Sequence, residues 1–398
     1  MTRASRPSSR LASSLLALSA AILGGCDDKN LVNTDRTPPE VSITQPAASD
    51  TVSGVTFVVE ATATDDLAVD RVELLVNGSL AGIDTTAPYR LLVFTLPFTE
   101  NAPLILTARA VDTAENASTA STDVTVSSRT ITRLTDAPTE DQNPSWSPDG
   151  TAIAFEARRP DGHLDIWKMD SGGGNQTRLT TNTNDDRNPA WSPSGDVIAF
   201  DSNRAGQFDI WRMPAATGET GLTGADSLTF GNEDDVEPAW SPDGSTIWFA
   251  SNRGDNAPFN IWSVPAAGGT QIQATSFESE QRAPAASPDG LFLAFSSTLN
   301  VQTTKIYTMR IGATEATLLT SAPLAESDPS WDPTSTAILY TRTDGSGARV
   351  WGVPAQGGVA PTQITFGIED GGAVFSPDAS RIAFHSSRDG NPEIYVLE

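Results

Sequence analysis

The chain has 398 residues, more than one hydrophobic core usually serves, so two or more domains are expected. Its 25 basic and 50 acidic side chains give a formal net charge of -25, which repels a phosphate backbone and argues against nucleic acid as a partner. The 31 Gly, 27 Pro and only four Met favour an all-β, turn-rich fold over a helical bundle.

The first 25 residues have the layout of an export signal. Three arginines precede an apolar stretch over residues 11–23, which is too short for a membrane-spanning helix, and Leu23-Gly24-Gly25-Cys26 follows. This segment resembles the bacterial lipobox, which implies that Cys26 becomes the lipidated first residue of the mature protein. We therefore expect a signal peptide over 1–25 and a lipid anchor at Cys26 that holds the protein at a membrane. An ordinary secretory signal with an incidental cysteine is the alternative.

The next segments predict a tether and a small β-domain. Residues 26–37 lack apolar periodicity and are interpreted as the tether. Residues 38–128 contain strand-like runs and the turn signal Asn77-Gly78, which favours a tight hairpin and, with the runs, indicates a β-sandwich. The runs are Val41–Ile43, Val55–Val59, Val72–Val76, Leu91–Phe94, Leu104–Ala110 and Val124–Val126. The order of motifs resembles bacterial immunoglobulin-like domains, most often spacers, although Glu115 replaces the usual glycine.

The region over residues 130–398 contains an internal repeat. The motif is Pro-Ser/Ala-Trp-Ser-Pro-Asp-Gly or a variant of it, and its six copies are spaced by 44 to 49 residues. The copies are Pro144–Gly150, Pro189–Gly195, Pro238–Gly244, Pro284–Gly290, Pro329–Ser335 and Ala373–Ala379. Each unit holds four strand-like runs in the same order, which is the content of one blade. The sequence therefore predicts an all-β fold, a six-bladed β-propeller preceded by an immunoglobulin-like β-sandwich.

The two ends of this region complement each other. A Leu-Thr or Ile-Thr strand follows the third strand in most units, yet Leu134-Thr135 precedes the first copy and the chain stops after the third strand Ile394–Val396. We therefore expect Ile131–Thr135 to complete the last blade and close the ring. The region resembles the TolB-type propeller repeat, often called WD40-like or PD40, and this resemblance implies a propeller over residues 130–398.

Alignment of the units separates packing residues from candidates for function. Eight of the nine tryptophans fall at two equivalent positions and are interpreted as packing residues. In four units an arginine ends the second strand and a polar residue precedes the third-strand aromatic, which predicts a local charge pair in each hairpin. The predicted pairs are Arg159 with Asp165, Arg204 with Asp209, Arg253 with Asn260 and Arg388 with Glu393.

A second set of acids stands out by its position. Five of the six units carry an acid three residues before the inner-strand proline or its equivalent, where the chain approaches the central channel. These residues are Asp141, Asp186, Asp235, Glu326 and Asp370. We predict that they form a ligand-binding channel mouth for a basic protein segment or a divalent cation, Ca2+ or Mg2+ rather than zinc, because carboxylates around one axis repel each other. Solvated turn-capping acids are the alternative interpretation.

The sequence offers little support for catalysis. The two histidines, His163 and His385, are too few for a multi-histidine metal site and are interpreted as ordinary surface or strand residues, and there is no Gly-x-Ser-x-Gly elbow. We therefore predict no catalytic residue and interpret the chain as a lipid-anchored binding or scaffold protein of the cell envelope, with an envelope protein or peptide as ligand. It would lie at the periplasmic or outer face of the plasma membrane, or at the outer membrane. The alternative is a carbohydrate- or peptide-processing hydrolase that acts in the propeller channel.

Overall fold

The computed structural model describes residues 35–96, 98–219, 224–254 and 258–398, and within these ranges the regular elements are all β-strands. None of the described residues belongs to a helix with the length and apolarity needed to cross a bilayer. Cys26 and most of the predicted tether lie outside the described residues. Thr37–Glu398 form one compact unit, in which a small sandwich precedes a larger set of sheets.

The first eight strands form the predicted immunoglobulin-like sandwich. They are β1 Glu40–Gln45, β2 Asp50–Val52, β3 Thr56–Thr64, β4 Val69–Val76, β5 Ser79–Asp84, β6 Tyr89–Phe94, β7 Pro103–Asp112 and β8 Ala117–Val126. One sheet has the order β1-β3-β6 and the other the order β2-β8-β7-β4-β5. Val59, Leu74 and Leu106 are fully buried in one cluster between the sheets, as the alternation of apolar residues along the strands requires.

Two turns of the sandwich depend on left-handed backbone. Asn77 and Gly78 have φ angles of 48° and 82°, so the predicted hairpin between β4 and β5 is confirmed. Glu115, between β7 and β8, also has a positive φ, 66°. The Asp112 carboxylate accepts the N–H of Ala114 at 2.7 Å and of Asn116 at 2.8 Å, which fixes this turn. The left-handed φ explains why glycine is usual at the position of Glu115.

Six four-stranded antiparallel sheets follow in the described part of the chain and are numbered sheets 1 to 6. The inner strands are β10 Asp141–Trp146, β14 Asp186–Trp191, β18 Asp235–Trp240, β22 Gln281–Ala286, β26 Ala325–Trp331 and β30 Gly371–Phe375. The second strands are β11 Ala152–Arg158, β15 Val197–Ser202, β19 Thr246–Ser251, β23 Phe292–Ser297, β27 Ala337–Asp344 and β31 Ile382–Ser386.

The third and fourth strands complete each sheet outward. The third strands are β12 Leu164–Asp170, β16 Asp209–Pro214, β20 Asn260–Pro265, β24 Lys305–Arg310, β28 Gly347–Pro354 and β32 Glu393–Leu397. The fourth strands are β13 Thr177–Arg178, β17 Asp226–Ser227, β21 Ile272–Gln273, β25 Thr317–Leu318, β29 Thr362–Gln363 and, for sheet 6, β9 Ile131–Arg133.

The sheets are arranged as in a β-propeller. Each inner strand contacts the inner strand of the next sheet, and β30 contacts β10, so the series returns to its start. β9 pairs with β32 in antiparallel register, with Arg133 opposite Tyr395 and Ile131 opposite Leu397. The predicted completion of the last sheet by the start of the region is therefore confirmed.

The sandwich packs against one face of the propeller. This face carries the turns between inner and second strands, where the Pro-Asp-Gly motifs lie. The Val55 N–H donates to the Ser380 carbonyl at 3.4 Å, and the Thr56 hydroxyl donates to the Ala379 carbonyl at 2.9 Å. Because strands alternate in direction, the connections that lead into the inner strands lie on the opposite face. We call that opposite face the open face.

Candidate functional site

The five predicted acids lie at or beside the start of the inner strands, next to the open face, but their side chains are buried. They are at most 2% exposed, and four of them accept hydrogen bonds from an arginine of the same sheet. The four pairs are Asp186 with Arg204 at 2.8 Å, Glu326 with Arg342 at 2.8 Å, Asp370 with Arg388 at 3.2 Å, and Asp235 with Arg253. The fifth, Asp141, has a pKa raised to about 7 by burial and by nearby Glu393.

These contacts correct two sequence-based expectations. The five carboxylates are not exposed groups at an accessible mouth, because each is buried against side chains of its own sheet or of the preceding one, as Glu326 is against Arg342 and Thr320. Arg204, Arg253 and Arg388 pair with the inner-strand acid rather than with the third-strand residue, so three of the four predicted hairpin pairs are wrong. The pair of Arg159 with Asp165, at 2.6 Å, is confirmed. A role of the five acids in ligand binding stays a prediction.

The threonine that recurs after each fourth strand has a structural role, because its hydroxyl bonds to the third strand. In every sheet this hydroxyl accepts a third-strand backbone N–H at 2.8 to 3.1 Å. The threonines are Thr135, Thr180, Thr229, Thr275, Thr320 and Thr365. Thr135 also donates to Glu393 at 2.6 Å and Thr180 to Asp165 at 3.2 Å. The repeated polar residues therefore build a buried hydrogen-bond network inside the sheets, which is a structural role.

The inner strands share a second feature that the sequence interpretation missed. Each has a register irregularity after one of its first three residues, and the residue before the motif proline, or before Ala373, has a positive φ of 50° to 59°. These bulge residues are Asn143, Asn188, Glu237, Ala283, Asp328 and Gly372. A bulge redirects a side chain, and here bulge residues of neighbouring sheets meet, with Asn143 Nδ2 donating to Asn188 Oδ1 at 3.0 Å.

A matching set lies on the second strands, directly after the repeated Phe or Tyr. Its members are Glu156, Asp201, Ala250, Ser296, Thr341 and His385. The Asn188 N–H donates to Glu156 at 2.9 Å and the Gly372 N–H to Thr341 Oγ1 at 3.3 Å, so the two sets contact each other. We call both sets together the channel ring. Its residue types differ between units, whereas the residues that build the sheets repeat.

One side of the channel ring is a charged network. Arg187 Nη2 donates to Asp201 at 2.8 Å, and Asn188 Nδ2 donates to the other oxygen of Asp201 at 2.8 Å. Burial raises the pKa of Asp201 to about 6, although Arg187 opposes the shift. Burial also raises the pKa of Glu156. The guanidinium of Arg187 lies 3.6 Å from the centre of the Phe208 ring, which fixes it toward the acids.

The other side contains Glu237, Asp328 and His385. Glu237 accepts the Ala283 N–H at 2.7 Å, and its pKa is raised by burial and by the charges of Asp328 and Asp201. Burial lowers the pKa of His385, and its Nδ1 is buried without a hydrogen-bond partner among the described residues. A Cβ at Gly372 would lie 3.0 Å from this Nδ1, so the bare glycine makes room for the imidazole. His385, interpreted from sequence as an ordinary strand residue, is thus part of the ring.

The open face also carries exposed apolar side chains. Phe230 and Phe366, directly after the threonines of sheets 2 and 5, are 67% and 70% exposed, and Ile368 is 56% exposed. They lie on connections that lead into inner strands, at the end of the propeller opposite the sandwich. Exposed apolar side chains set among polar groups are typical of interaction surfaces. Among the described residues, no three carboxylate or imidazole groups of the ring approach each other within 4.8 Å in the manner of a shared metal site.

The fold defines a β-propeller preceded by a small β-sandwich, and family comparison supports this class. Residues 122–223 and 219–367 match the family described as TolB beta propeller domain, and residues 39–132 match Bacterial Ig domain. Since the propeller matches span more than half of the chain, the chain belongs to the TolB beta propeller domain family.

Solved structures agree at the level of the fold. A putative TolB from Agrobacterium tumefaciens is 19% identical, with a TM-score of 0.55 over 67% of this chain and 96% of that one. TolB from Acinetobacter baumannii is 17% identical, with a TM-score of 0.51 over 82% of this chain and 79% of that one.

Among curated proteins, an uncharacterized peptidase, YuxL of Bacillus subtilis (strain 168), is 33% identical over 96 residues, which are 24% of this chain. The chain spans only 15% of the length of that curated relative.

Proposed function

We propose that this chain is an exported, lipid-anchored protein of the cell envelope that binds a protein partner through the open face of a six-bladed propeller. The proposed parts are a signal peptide over 1–25, a tether over 26–37, an immunoglobulin-like spacer over 38–128 and the propeller over 130–398. Cys26 would carry the lipid and place the protein at the periplasmic or outer face of the plasma membrane, or at the outer membrane.

The observation that carries the proposal is a difference between the two propeller faces: the sandwich contacts one of them, and the other exposes apolar side chains. The sandwich contacts the turn face at Ser380 and Ala379, and therefore does not cover the opposite face. That face exposes Phe230, Phe366 and Ile368, and the non-repeated channel ring lies on the inner and second strands of the same propeller. A spacer attached to the turn face would present the open face to a partner.

The charge of the site favours a basic partner segment. In the ring, the acids Glu156, Asp201, Glu237 and Asp328 outnumber the nearby arginines Arg158, Arg187 and Arg282. The buried acids Asp141, Asp186, Asp235, Glu326 and Asp370 would contribute as fixed groups below the surface rather than as direct contacts. Because four of them are paired with arginines, their net charge contribution is small, and the preference for a basic segment or, as a second ligand, Ca2+ or Mg2+ rests mainly on the ring acids. Association with a basic segment should weaken as salt concentration rises.

The proposal is tested with the purified chain lacking residues 1–26. An envelope extract is passed over the immobilised protein at low and high salt, and calorimetry measures Ca2+ and Mg2+ binding separately. We expect a discrete partner whose recovery falls as salt rises. If no partner is retained at any salt concentration and neither cation binds, the binding function is wrong.

One observation favours the hydrolase alternative. The channel ring places Glu237, whose pKa burial raises, close enough to Asp328 for the two charges to interact. Acid–base hydrolysis needs two neighbouring carboxyls of which one has a raised pKa. Glycan and peptide libraries would reveal turnover, and Glu237→Gln should then abolish it. Turnover that survives this substitution would remove the ring from consideration as a catalytic centre.

A further inference from the structure

A large cavity lies between the sandwich and the propeller, away from the open face. Its volume is about 1260 Å³. The sandwich side is formed by β5, β6 and the turn between them, and the propeller side by sheets 4 and 5. Small-molecule pockets usually measure about 300–1,000 Å³, so this space suits a larger, elongated ligand. We call it the interdomain cleft.

Both sandwich strands at the cleft are edge strands. β5 is the last strand of the order β2-β8-β7-β4-β5, and β6 is the last strand of the order β1-β3-β6. All six residues of β5, Ser79–Asp84, line the cleft. On the side away from β4, no strand in the described part of the chain pairs with β5. Its outward N–H and C=O groups can therefore accept a further strand.

The sequence of β5 has little of the usual protection of a free edge, with Asp84 at its end as its one charged residue. Ser79-Leu-Ala-Gly-Ile-Asp84 contains neither proline nor lysine, and Leu80 is 40% exposed. The opposite wall has an apolar part, which includes Phe292, Trp331 and Pro354, next to polar residues such as Thr308 and Thr317. Edge and wall together form a slot with a hydrogen-bonding side and a partly apolar side. Strand addition uses this combination, because backbone bonds supply affinity and apolar pockets accept alternate side chains.

The cleft continues an interface that is already packed. Leu92 and Phe94 of β6 line the cleft and also belong to a buried cluster with Ala337 and Leu339 of the propeller. A ligand in the cleft would therefore extend the existing contact between the two domains. Its affinity would depend on both walls, which are held together by that cluster.

The charges at the cleft favour a ligand with basic ends. Asp84 and Asp289 line it, and the lining Arg90 is already paired with Glu60 at 2.7 Å. The carboxylates thus outnumber the guanidinium at this site, in agreement with the formal charge of -25 for the chain. A basic ligand would be complementary to this excess.

We propose that the interdomain cleft binds an extended, mainly uncharged segment of a partner protein, flanked by basic residues, which adds a strand to the free edge of β5. The ligand is a polypeptide because the free edge offers a row of backbone groups and the volume exceeds that of small-molecule pockets. This site is separate from the open face, and either one can exist without the other.

The test uses the chain lacking residues 1–26 and a fluorescent peptide of about eight residues, alternating Thr and Val between two terminal lysines, a length matched to β5 at about 3.3 Å per residue. A peptide with terminal aspartates and one with alternating prolines serve as controls. We expect an anisotropy change with the lysine peptide alone, and slower hydrogen exchange at β5 amides in the complex.

Substitutions locate the site. Leu80→Asp should weaken the lysine peptide by about tenfold or more, because it places a charge in the apolar slot, whereas Leu67→Asp, at another exposed leucine of the sandwich, should not. Gln356→Lys, on the exposed cleft wall, should reverse the preference between lysine and aspartate ends, and Gln207→Lys should leave it unchanged. The Gln356 variant tests the site even if Leu80→Asp impairs folding.

Three results would overturn the proposal. One is the lack of any anisotropy change at millimolar lysine peptide. Another is equal binding by the parent, Leu80→Asp and Gln356→Lys. The third is a concentration-dependent dimer that buries β5 and is lost in Leu80→Asp, which would make a second copy of the chain the occupant.

Discussion

Arg133 Nη2 donates to the Glu393 carboxylate at 2.8 Å and joins β9 to the last strand of the chain. The Glu393 side chain is fully buried, and it also accepts the Thr135 hydroxyl at 2.6 Å. A carboxylate buried this deeply needs such partners, because an unpaired charge in the interior is strongly unfavourable. Ring closure therefore rests on polar contacts from β9 as well as on its backbone pairing.

Loss of β9 should destabilise the whole propeller. We compare a chain that begins after Ser128 with one that begins after Thr135, since both lack the sandwich and they differ chiefly in β9. The shorter chain leaves Glu393 without Arg133 and Thr135 and exposes the edge of β32, so its free energy of unfolding should be lower by about 3 kcal/mol or more. Thermal and urea melts measure the difference. Equal stability of the two chains would refute closure by β9.

The free energy of unfolding should fall as pH rises from about 4 to about 7. Burial raises the pKa of Asp141 to about 7 and that of Asp165, Asp201 and Asp209 to about 6. In the unfolded chain their pKa values are about 3.9, so the folded state binds more protons in this range. Burial lowers the pKa of His385, and hydrogen bonds lower the pKa values of Asp149 and Asp243 to about 2, so these groups oppose the trend, the two carboxyls only near pH 4 and below.

Calorimetry near pH 5 and near pH 8 checks this expectation. The melting temperature should be higher near pH 5, and Asp141→Asn should reduce the difference because the amide does not titrate. A melting temperature that is higher near pH 8, or a pH dependence unchanged by Asp141→Asn, would show that these carboxyls are ionised in the fold.

Gly352 should be essential for docking of the sandwich. An added Cβ would lie 2.8 Å from Phe94 Cε1 and 2.9 Å from Phe94 Cε2, so no side chain fits. Gly352→Ala should lower the free energy of unfolding by about 1–3 kcal/mol through overpacking. Gly345→Ala is the matched control, since a Cβ there would meet nothing within 4 Å. Similar urea melts for both variants would mean that Phe94 can move away without loss.

Lipidation at Cys26 should provide the membrane attachment. We expect fatty-acid label on the parent protein, and release of Cys26→Ser into the soluble fraction, because one acylated residue is the proposed anchor. Metabolic labelling and fractionation measure both. A serine variant that stays fully with the membrane would contradict the proposed anchor.

The sequence predicted the fold because structural residues recur. Tryptophans, Pro-Asp-Gly turns and Leu-Thr strands appear in unit after unit, and each copy supports the same interpretation. In the sandwich, β2 and β5 were missed because they are short or nearly featureless, although the Asn77-Gly78 turn implied a strand after it. Pairing in the sheet, rather than local preference, makes these segments strands.

The functional candidates were harder to predict because they are the residues that do not repeat. The repeated acids form buried ion pairs that hold the sheets together, such as Asp186 with Arg204. In the channel ring, by contrast, the residue type changes between equivalent positions, for example Glu156 in sheet 1 and His385 in sheet 6. Gly352 likewise departs from the repeat, because the equivalent third-strand position in sheet 1 is occupied by Lys168. Positions at which one unit departs from the repeat were therefore the sequence signal that could have indicated functional residues. Side-chain direction at the bulges, however, depends on backbone geometry that the sequence alone did not reveal.

Photocrosslinking in the intact host tests the central claim most directly. A photoreactive phenylalanine analogue is placed at Phe230 or Phe366 on the open face and, as a control, at exposed Leu67 on the sandwich. The account predicts a discrete adduct from one or both open-face positions and none of the same mass from Leu67. Adducts from Leu67 alone, or no adduct from either open-face position, would contradict partner binding at the open face.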